Sequence, residues 1–153
     1  MSSLMVTLSG LDTLSLKVSF LKNAAQQGLK AGVSEAAGLF ESAAKDNAPV
    51  LTGRLRDGIH TETVEDTPER QVLAVTPTVA AGNKYGFEPP YARRIEYGFM
   101  GKDSLGRNYH QPAQPYMRPA FDEQQAEAAQ AIKDGVYEQL DAAMNSSSAK
   151  GNG

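Results

Sequence analysis

The sequence contains no cysteine and no tryptophan, and it contains only two histidines. Without cysteine the chain can form neither a disulfide framework nor a thiolate metal site. Neither His60 nor His110 has a second histidine or cysteine at a ligand spacing, so the pattern predicts no zinc site, and we expect no cofactor. Aromatic residues make up only 7% of the chain, which predicts an aliphatic, alanine-rich core.

Long apolar runs and a strong excess of charge are also missing. No apolar stretch reaches about 18 residues and no leader pattern opens the chain, so we expect a soluble protein that is not secreted by the usual route and does not bind membranes. The net charge of −3 argues against a protein that coats nucleic acid by bulk charge. A length of 153 residues suits a single domain.

The N-terminal segment has two overlapping patterns. Leu4, Val6 and Leu8 alternate with Met5, Thr7 and Ser9, which predicts a short strand with one buried face that ends at Gly10. Asp12 or Thr13 could then begin a short helix, although the apolar residues that follow also alternate in part.

The helical pattern is clearer from Asn23 to Asp46. One apolar stripe is formed by Leu29, Val33, Ala36, Phe40 and Ala43 or Ala44, at steps of three and four. Gly28, Gly32 and Gly38 lie within this helix, and each costs about 1 kcal/mol relative to alanine. Tertiary packing must therefore stabilise the helix, and the small residues permit close approach of another backbone.

The middle of the chain predicts turns and strands. Residues 48–58 form an ordered turn, and strands over 59–65 and 71–79 are joined by a hairpin loop at 67–69. A short helix is predicted over 91–97, and Phe99 to Gln114 is predicted to be a long loop.

A second long helix is predicted after Pro119, with Asp122 and Glu123 in its first turn. One face of this helix is formed by Phe121, Gln125, Ala128, Ile132, Val136, Leu140 and Ala143, which are apolar except for Gln125. We therefore predict a single α+β domain over residues 1–144, with a small, mostly antiparallel sheet packed against two long helices, and a flexible C-terminal tail over 145–153.

Catalytic patterns are weak. No serine lies in a G-x-S-x-G elbow. The segment Gly101–Ser104 resembles the end of a phosphate-binding loop, but Glu96 occupies the position of the required upstream glycine. The acidic residues are scattered without a recognisable pair, so the sequence predicts a protein that is not an enzyme.

Arginine and tyrosine are concentrated in the central region and before the last helix. The arginines there are Arg54, Arg56, Arg93, Arg94, Arg107 and Arg118, and the tyrosines are Tyr85, Tyr91, Tyr97, Tyr109 and Tyr116. Interfaces enrich both residue types. Subunit contact and nucleic-acid binding both fit this distribution, as does a solvated surface; the acidic overall charge favours subunit contact.

Three segments resemble those of one family of tailed-phage proteins. Ala48-Pro49-Val50-Leu51-Thr52-Gly53-Arg54-Leu55-Arg56 resembles an AP-x-x-TG-x-LR segment, Tyr91–Gly98 resembles YA-x-x-x-E-[FY]-G, and Pro115–Ala120 resembles P-[FY]-[LM]-RPA. Their order and flanking helices resemble the Hong Kong 97-type tail-component family. After Gly98 the family usually has a small residue, where this chain has Phe99 and Met100.

The resemblance implies a structural virion protein of the phage neck that forms a ring, expected to be a hexamer, at the head-proximal end of the tail. Implied partners are further copies of the chain, the tail tube protein below and the head connector or head-closure protein above, with DNA passing through the lumen without specific binding. The implied location is the virion, after assembly in the host cytoplasm. We expect subunit contacts at Arg54, Arg56, Tyr91, Arg93, Arg94, Glu96, Tyr97, Phe99, Tyr109, Tyr116 and Arg118.

Three other functions compete with this prediction. A head-closure protein of the connector would belong to the same structural class. A small nucleic-acid-binding protein would instead use the arginines and tyrosines on phosphates and bases, with a salt-dependent affinity. A small hydrolase is the least supported of the three.

Overall fold

The computed structural model describes residues 11–50, 53–77, 91–102 and 105–149. The elements are α1 (Leu11–Asn47), α2 (Arg54–Gly58), β1 (Ile59–Asp66), β2 (Gln71–Pro77), α3 (Tyr91–Tyr97), β3 (Phe99–Lys102), β4 (Asn108–Gln111) and α4 (Met117–Ala149). The predicted α+β class with two long helices is confirmed, and the fold is mostly helical. The predicted strand at Leu4–Leu8 lies outside the described residues.

Helices α1 and α4 run antiparallel along a seam of small residues. A Cβ added at Gly28 would clash with the Gly135 carbonyl oxygen, and one added at Gly32 would lie 2.6 Å from Ile132 Cα. The two backbones are therefore in direct contact, which only glycine allows at these points. This confirms the prediction that tertiary packing holds the glycine-containing helix.

Two details of the first helix were predicted wrongly. Helix α1 is continuous over 37 residues from Leu11, about 55 Å, rather than a short helix followed by a longer one. Leu29 of the predicted apolar stripe is exposed. The α4-facing row instead recurs at every fourth position and includes Ala24, Gly28, Gly32, Ala36 and Ala44, all of them buried. Because the backbones touch, the smallest residues occupy the seam and larger apolar residues flank it.

Strands β1 and β2 form the predicted antiparallel hairpin, with Ile59 opposite Pro77 and Asp66 opposite Gln71. The hairpin docks on α1 through the Glu41 carboxylate, which accepts hydrogen bonds from the Thr61 backbone N–H (2.9 Å) and hydroxyl (2.7 Å). Lys30 on α1 pairs with Asp66 at the far end of the hairpin. Polar contacts at both ends thus fix the hairpin along α1.

The sequence predicts a long loop from Phe99 to Gln114, and this prediction is wrong. The structure has a second antiparallel hairpin there, β3–β4, in which Phe99 pairs with Gln111 and Lys102 with Asn108. The β-structure of the described residues therefore forms two separate two-stranded sheets rather than one. Each strand has only four residues, too few for alternation of apolar and polar residues to be recognised in the sequence.

Helix α4 begins at Met117, two residues before Pro119, and places that proline in its first turn, where no intrahelical N–H is required. It continues through Ala149, so residues 145–149 are helical where the sequence predicts a flexible tail. No helix of the described residues is both long and apolar enough to cross a membrane.

The main core lies at one end of the α1–α4 pair. It comprises Ala43, Ala44, Ala48, Leu55, Ile59, Ile95, Tyr116 and Ala120. The predicted aliphatic, alanine-rich core is confirmed, with Tyr116 as its one large aromatic residue among the described members.

Candidate functional site

The three sequence motifs meet at this core. The first contributes Ala48 and Leu55, the second Ile95, and the third Tyr116 and Ala120. We call the structure built from residues 53–58, 91–102 and 108–120 the motif corner. Segments that are far apart in sequence therefore form one buried cluster, and their polar side chains surround it.

Helix α2 explains the first motif. Gly53 precedes it with φ +74°, a left-handed conformation that favours glycine, and the Gly53 carbonyl accepts a hydrogen bond from the Asp57 N–H (2.9 Å). Leu55 is buried, whereas Arg54 and Arg56 on either side are exposed. The predicted turn thus contains one helical turn, which presents two arginines to solvent.

Glu96 links the second motif to the third. Its carboxylate Oε2 accepts hydrogen bonds from the backbone N–H groups of Tyr116 (2.8 Å) and Met117 (3.0 Å), and Oε1 accepts one from Arg118 (3.2 Å). These donors lie at the start of α4, where N–H groups have no intrahelical acceptor. A carboxylate there also interacts favourably with the helix dipole. Glu96, only 9% exposed, is therefore the N-terminal cap of α4.

Tyr116 is the largest side chain of this core and is 1% exposed. Burial, together with the nearby charge of Glu96, raises the pKa of Tyr116 to about 12, because both disfavour the phenolate. Glu96 and Tyr116 were both predicted at a subunit interface; the structure gives them roles inside the subunit. For the other residues of that set, subunit contact stays a prediction.

Gly98 turns the chain from α3 into β3. Its φ is +77°, and an added Cβ would lie 2.9 Å from the Gln111 carbonyl oxygen and 3.0 Å from the Ala113 nitrogen. Both the conformation and the close approach require glycine here. The turn brings the β3–β4 hairpin against α3, and the Gln114 N–H donates to the Ile95 carbonyl (2.7 Å).

The outer side of the motif corner carries stacked arginine and aromatic groups. The Arg94 guanidinium carbon lies 4.2 Å from the centroid of the Phe99 ring, within cation–π range. The Phe99 and Tyr109 rings are 6.3 Å apart between centroids. A shallow depression of about 440 Å³ is lined by Arg93, Arg94, Tyr97, Gly98 and Phe99. The structure thus brings together five of the predicted interface residues, Arg93, Arg94, Tyr97, Phe99 and Tyr109. A sixth, Tyr91, is the first residue of α3.

Two exposed apolar residues at this surface, Met100 and Leu105, were not among the predicted interface residues. Met100 is 79% exposed, and Leu105 is also exposed, in the β3–β4 turn region. The sequence did contain a sign of the exposed Met100, because Phe99 and Met100 follow Gly98 where the family usually has a small residue. Exposed apolar groups beside arginines are typical of a protein-binding surface.

The described residues show no arrangement for metal chemistry: no group of three or more histidine, aspartate or glutamate residues among them could hold a metal ion. His60 Nδ1 lies 3.0 Å from the Gly58 carbonyl oxygen, a local contact at the start of β1.

Comparison with known proteins agrees with the first two motifs, at 48–56 and 91–98. The model of the family described as "Bacteriophage HK97-gp10, putative tail-component" matches residues 12–98, the segment from the start of α1 through Gly98. No curated protein matches the chain, and no solved structure matches it. Because the family model covers more than half of the 153 residues, the chain belongs to this phage tail-component family and is a structural component of the tail.

Proposed function

We propose that the protein forms a ring at the head-proximal end of the tail, where it completes or terminates the tail for joining to the head. The observation that carries the proposal is the family match over α1 to Gly98. A tail component is located in the virion, and the position at the neck is part of the proposal.

The exposed side of the motif corner supports assembly with neighbours. Arg54, Arg56, Arg93 and Arg94 are exposed, whereas Glu96 and Tyr116 complete the fold of the subunit. A closed ring requires heterologous contacts, in which one surface meets a different surface of the next subunit. The proposed partners are therefore other copies of the chain, six for a six-fold tail, with the tail tube protein below and the head connector above.

The overall charge supports passage of DNA. With a net charge of −3, a ring of this chain would not retain phosphates by bulk attraction. We propose that DNA passes through the lumen without specific binding, that assembly takes place in the host cytoplasm, and that the protein has no catalytic role.

Electron microscopy of a phage lysate in which this gene is interrupted tests the proposal. We expect full heads and free tails that have not joined; overlong tails would indicate termination, and tails of normal length would indicate completion. Supplying the intact gene from a plasmid should restore joined particles. Heads that have lost their DNA would instead indicate head closure, and intact, infectious particles without the gene would refute a neck role.

A further inference from the structure

Charge is separated along the C-terminal part of the chain. Residues 91–118 contain five basic residues, Arg93, Arg94, Lys102, Arg107 and Arg118, and two acidic ones. Residues 119–149 contain six acidic residues, Asp122, Glu123, Glu127, Asp134, Glu138 and Asp141, and one lysine. A basic segment is thus followed directly by an acidic helix, in a chain whose net charge is only −3.

The acidic residues of α4 are concentrated on its outer face. Positions 123, 127, 130, 134, 137, 141 and 144 follow each other at alternating steps of four and three and are all exposed. Such steps place side chains on one side of a helix. We call this set the acidic face. It is directed away from α1, which contacts α4 at Ile132, Gly135 and Val136. Helix α4 therefore has one face on α1 and an outer face directed towards solvent. At one end of that outer face the Glu123 carboxylate accepts a hydrogen bond from the Asn47 side chain of α1 (3.4 Å).

The charges of the acidic face are not neutralised within the described part of the subunit. The ion pairs found there join Lys30 to Asp66, Lys45 to Glu41, Arg56 to Asp57 and Arg70 to Glu65. None of them includes a residue of α4. The Asp134 carboxylate accepts a hydrogen bond from the Gln130 side chain (2.7 Å) on the same face. The acidic face is thus available to a basic partner.

The motif corner presents a surface of opposite sign, which we call the basic surface and define by Arg93, Arg94, Lys102 and Arg118. All four residues are exposed, and none takes part in an ion pair among the described residues. Arg94 is held over Phe99, so its guanidinium is positioned while keeping its charge.

Both surfaces also contain exposed apolar groups. Tyr97, Met100 and Tyr109 lie among the arginines. Tyr137, 65% exposed, and Met144, 51% exposed, lie among the carboxylates of α4. An apolar centre with charges at its rim is the usual anatomy of a protein interface, and opposite potentials orient the two partners.

We propose that the acidic face of α4 in one copy of the chain docks on the basic surface of a second copy. The inference rests on the proposed ring and names the two surfaces that meet in it. Along α4, Arg118 and Asp134 are about 24 Å apart, about three times the Debye length of about 8 Å at physiological salt. The end of the acidic face that carries Asp134 and Asp141 is therefore too far along the helix to be neutralised by Arg118, and a neighbour supplies the opposite charge.

A charge exchange tests this pairing in phage whose own copy of the gene is interrupted. The basic-surface variant carries Arg93→Glu and Lys102→Glu, and the acidic-face variant carries Asp134→Lys and Asp141→Lys. Each places like charges opposite each other, so we expect each to lower the infectious titre at least tenfold. A chain with all four substitutions restores opposite charges and should recover most of the titre.

Matched controls separate the pairing from general charge effects. Lys17→Glu and Glu69→Lys change exposed residues outside both surfaces and should leave the titre unchanged. Far-ultraviolet circular dichroism shows whether each variant remains folded. Folded single-surface variants with normal titre would overturn the pairing, and so would a four-substitution chain that is folded but fails to recover.

A second measurement keeps this inference distinct from the proposed function. Because the chain has no cysteine, Met100→Cys and Tyr137→Cys each introduce a single thiol. A short bismaleimide should join the two variants to each other, at high protein concentration, more than tenfold faster than it joins either to a Glu69→Cys control. Equal rates would overturn the pairing. Infectious particles without the gene would refute the neck role, and the cross-linking result would still decide whether the two surfaces meet.

Discussion

Removal of the Glu96 carboxylate should strongly destabilise the subunit. Three backbone N–H groups at the start of α4 donate to it at 2.8–3.2 Å, and the group is buried beside Tyr116. Loss of an N-terminal cap costs about 0.5–2 kcal/mol, and loss of a partly buried charge at the helix dipole adds up to about 2 kcal/mol. We therefore expect Glu96→Ala to lower the free energy of unfolding by about 3 kcal/mol.

The same loss corresponds to a decrease in Tm of about 6–12 °C for a chain of this size. Glu96→Gln keeps one acceptor oxygen but turns an amide N–H₂ towards backbone donors, so about half of the loss should remain. Urea unfolding followed by circular dichroism measures both variants. The control Glu35→Gln, at an exposed position of α1, should change the free energy of unfolding by less than about 0.5 kcal/mol.

The result that would refute this reasoning is equal stability of Glu96→Ala, Glu35→Gln and the unchanged chain. The carboxylate would then contribute nothing to α4, and the link between the second and third motifs would have another cause. An equal decrease in the free energy of unfolding for Glu96→Ala and Glu96→Gln would instead assign the whole effect to the negative charge of Glu96.

Two further changes test the seam and the hairpin. Gly28→Ala forces a Cβ against the Gly135 carbonyl, and the overpacking cost of about 1–3 kcal/mol should exceed the helix-propensity gain of about 1 kcal/mol. Gly38→Ala, where an added Cβ meets nothing within 4 Å, should instead stabilise the chain, and urea unfolding that ranks the two variants alike would contradict the backbone contact. Hydrogen bonds from Lys45 and Thr61 hold the pKa of Glu41 below its ordinary value of 4.5. The folded carboxyl therefore releases its proton more readily than the unfolded one, and its contribution to stability is present above pH 4.5 and is lost as the pH falls through the lower folded pKa. Thermal unfolding from neutral pH downwards should show a smaller loss for Glu41→Gln than for the unchanged chain, and parallel curves would contradict the assignment.

The amino-acid sequence by itself determined some of the local elements, notably the β1–β2 hairpin and helix α3, and the family. Turn residues at 67–69 and the β-branched segments beside them were sufficient to place the β1–β2 hairpin, since its register follows from contacts close in sequence. Helix α3 lies over residues 91–97 as predicted. The order of the three motifs was sufficient to indicate the phage tail-component family.

Tertiary structure alone decided how these elements meet. The sequence placed Gly28 and Gly32 on a helix, but their burial depends on contact with Gly135 and its neighbours, about 100 residues away. Nothing in the sequence indicated that Glu96 caps α4, because its partners, the N–H groups at 116–118, belong to a backbone that no side-chain pattern reveals. The β3–β4 hairpin escaped detection because four residues are too few to show alternation. Local propensity acts over a few residues, whereas close packing and backbone capping depend on groups that only the folded chain brings together.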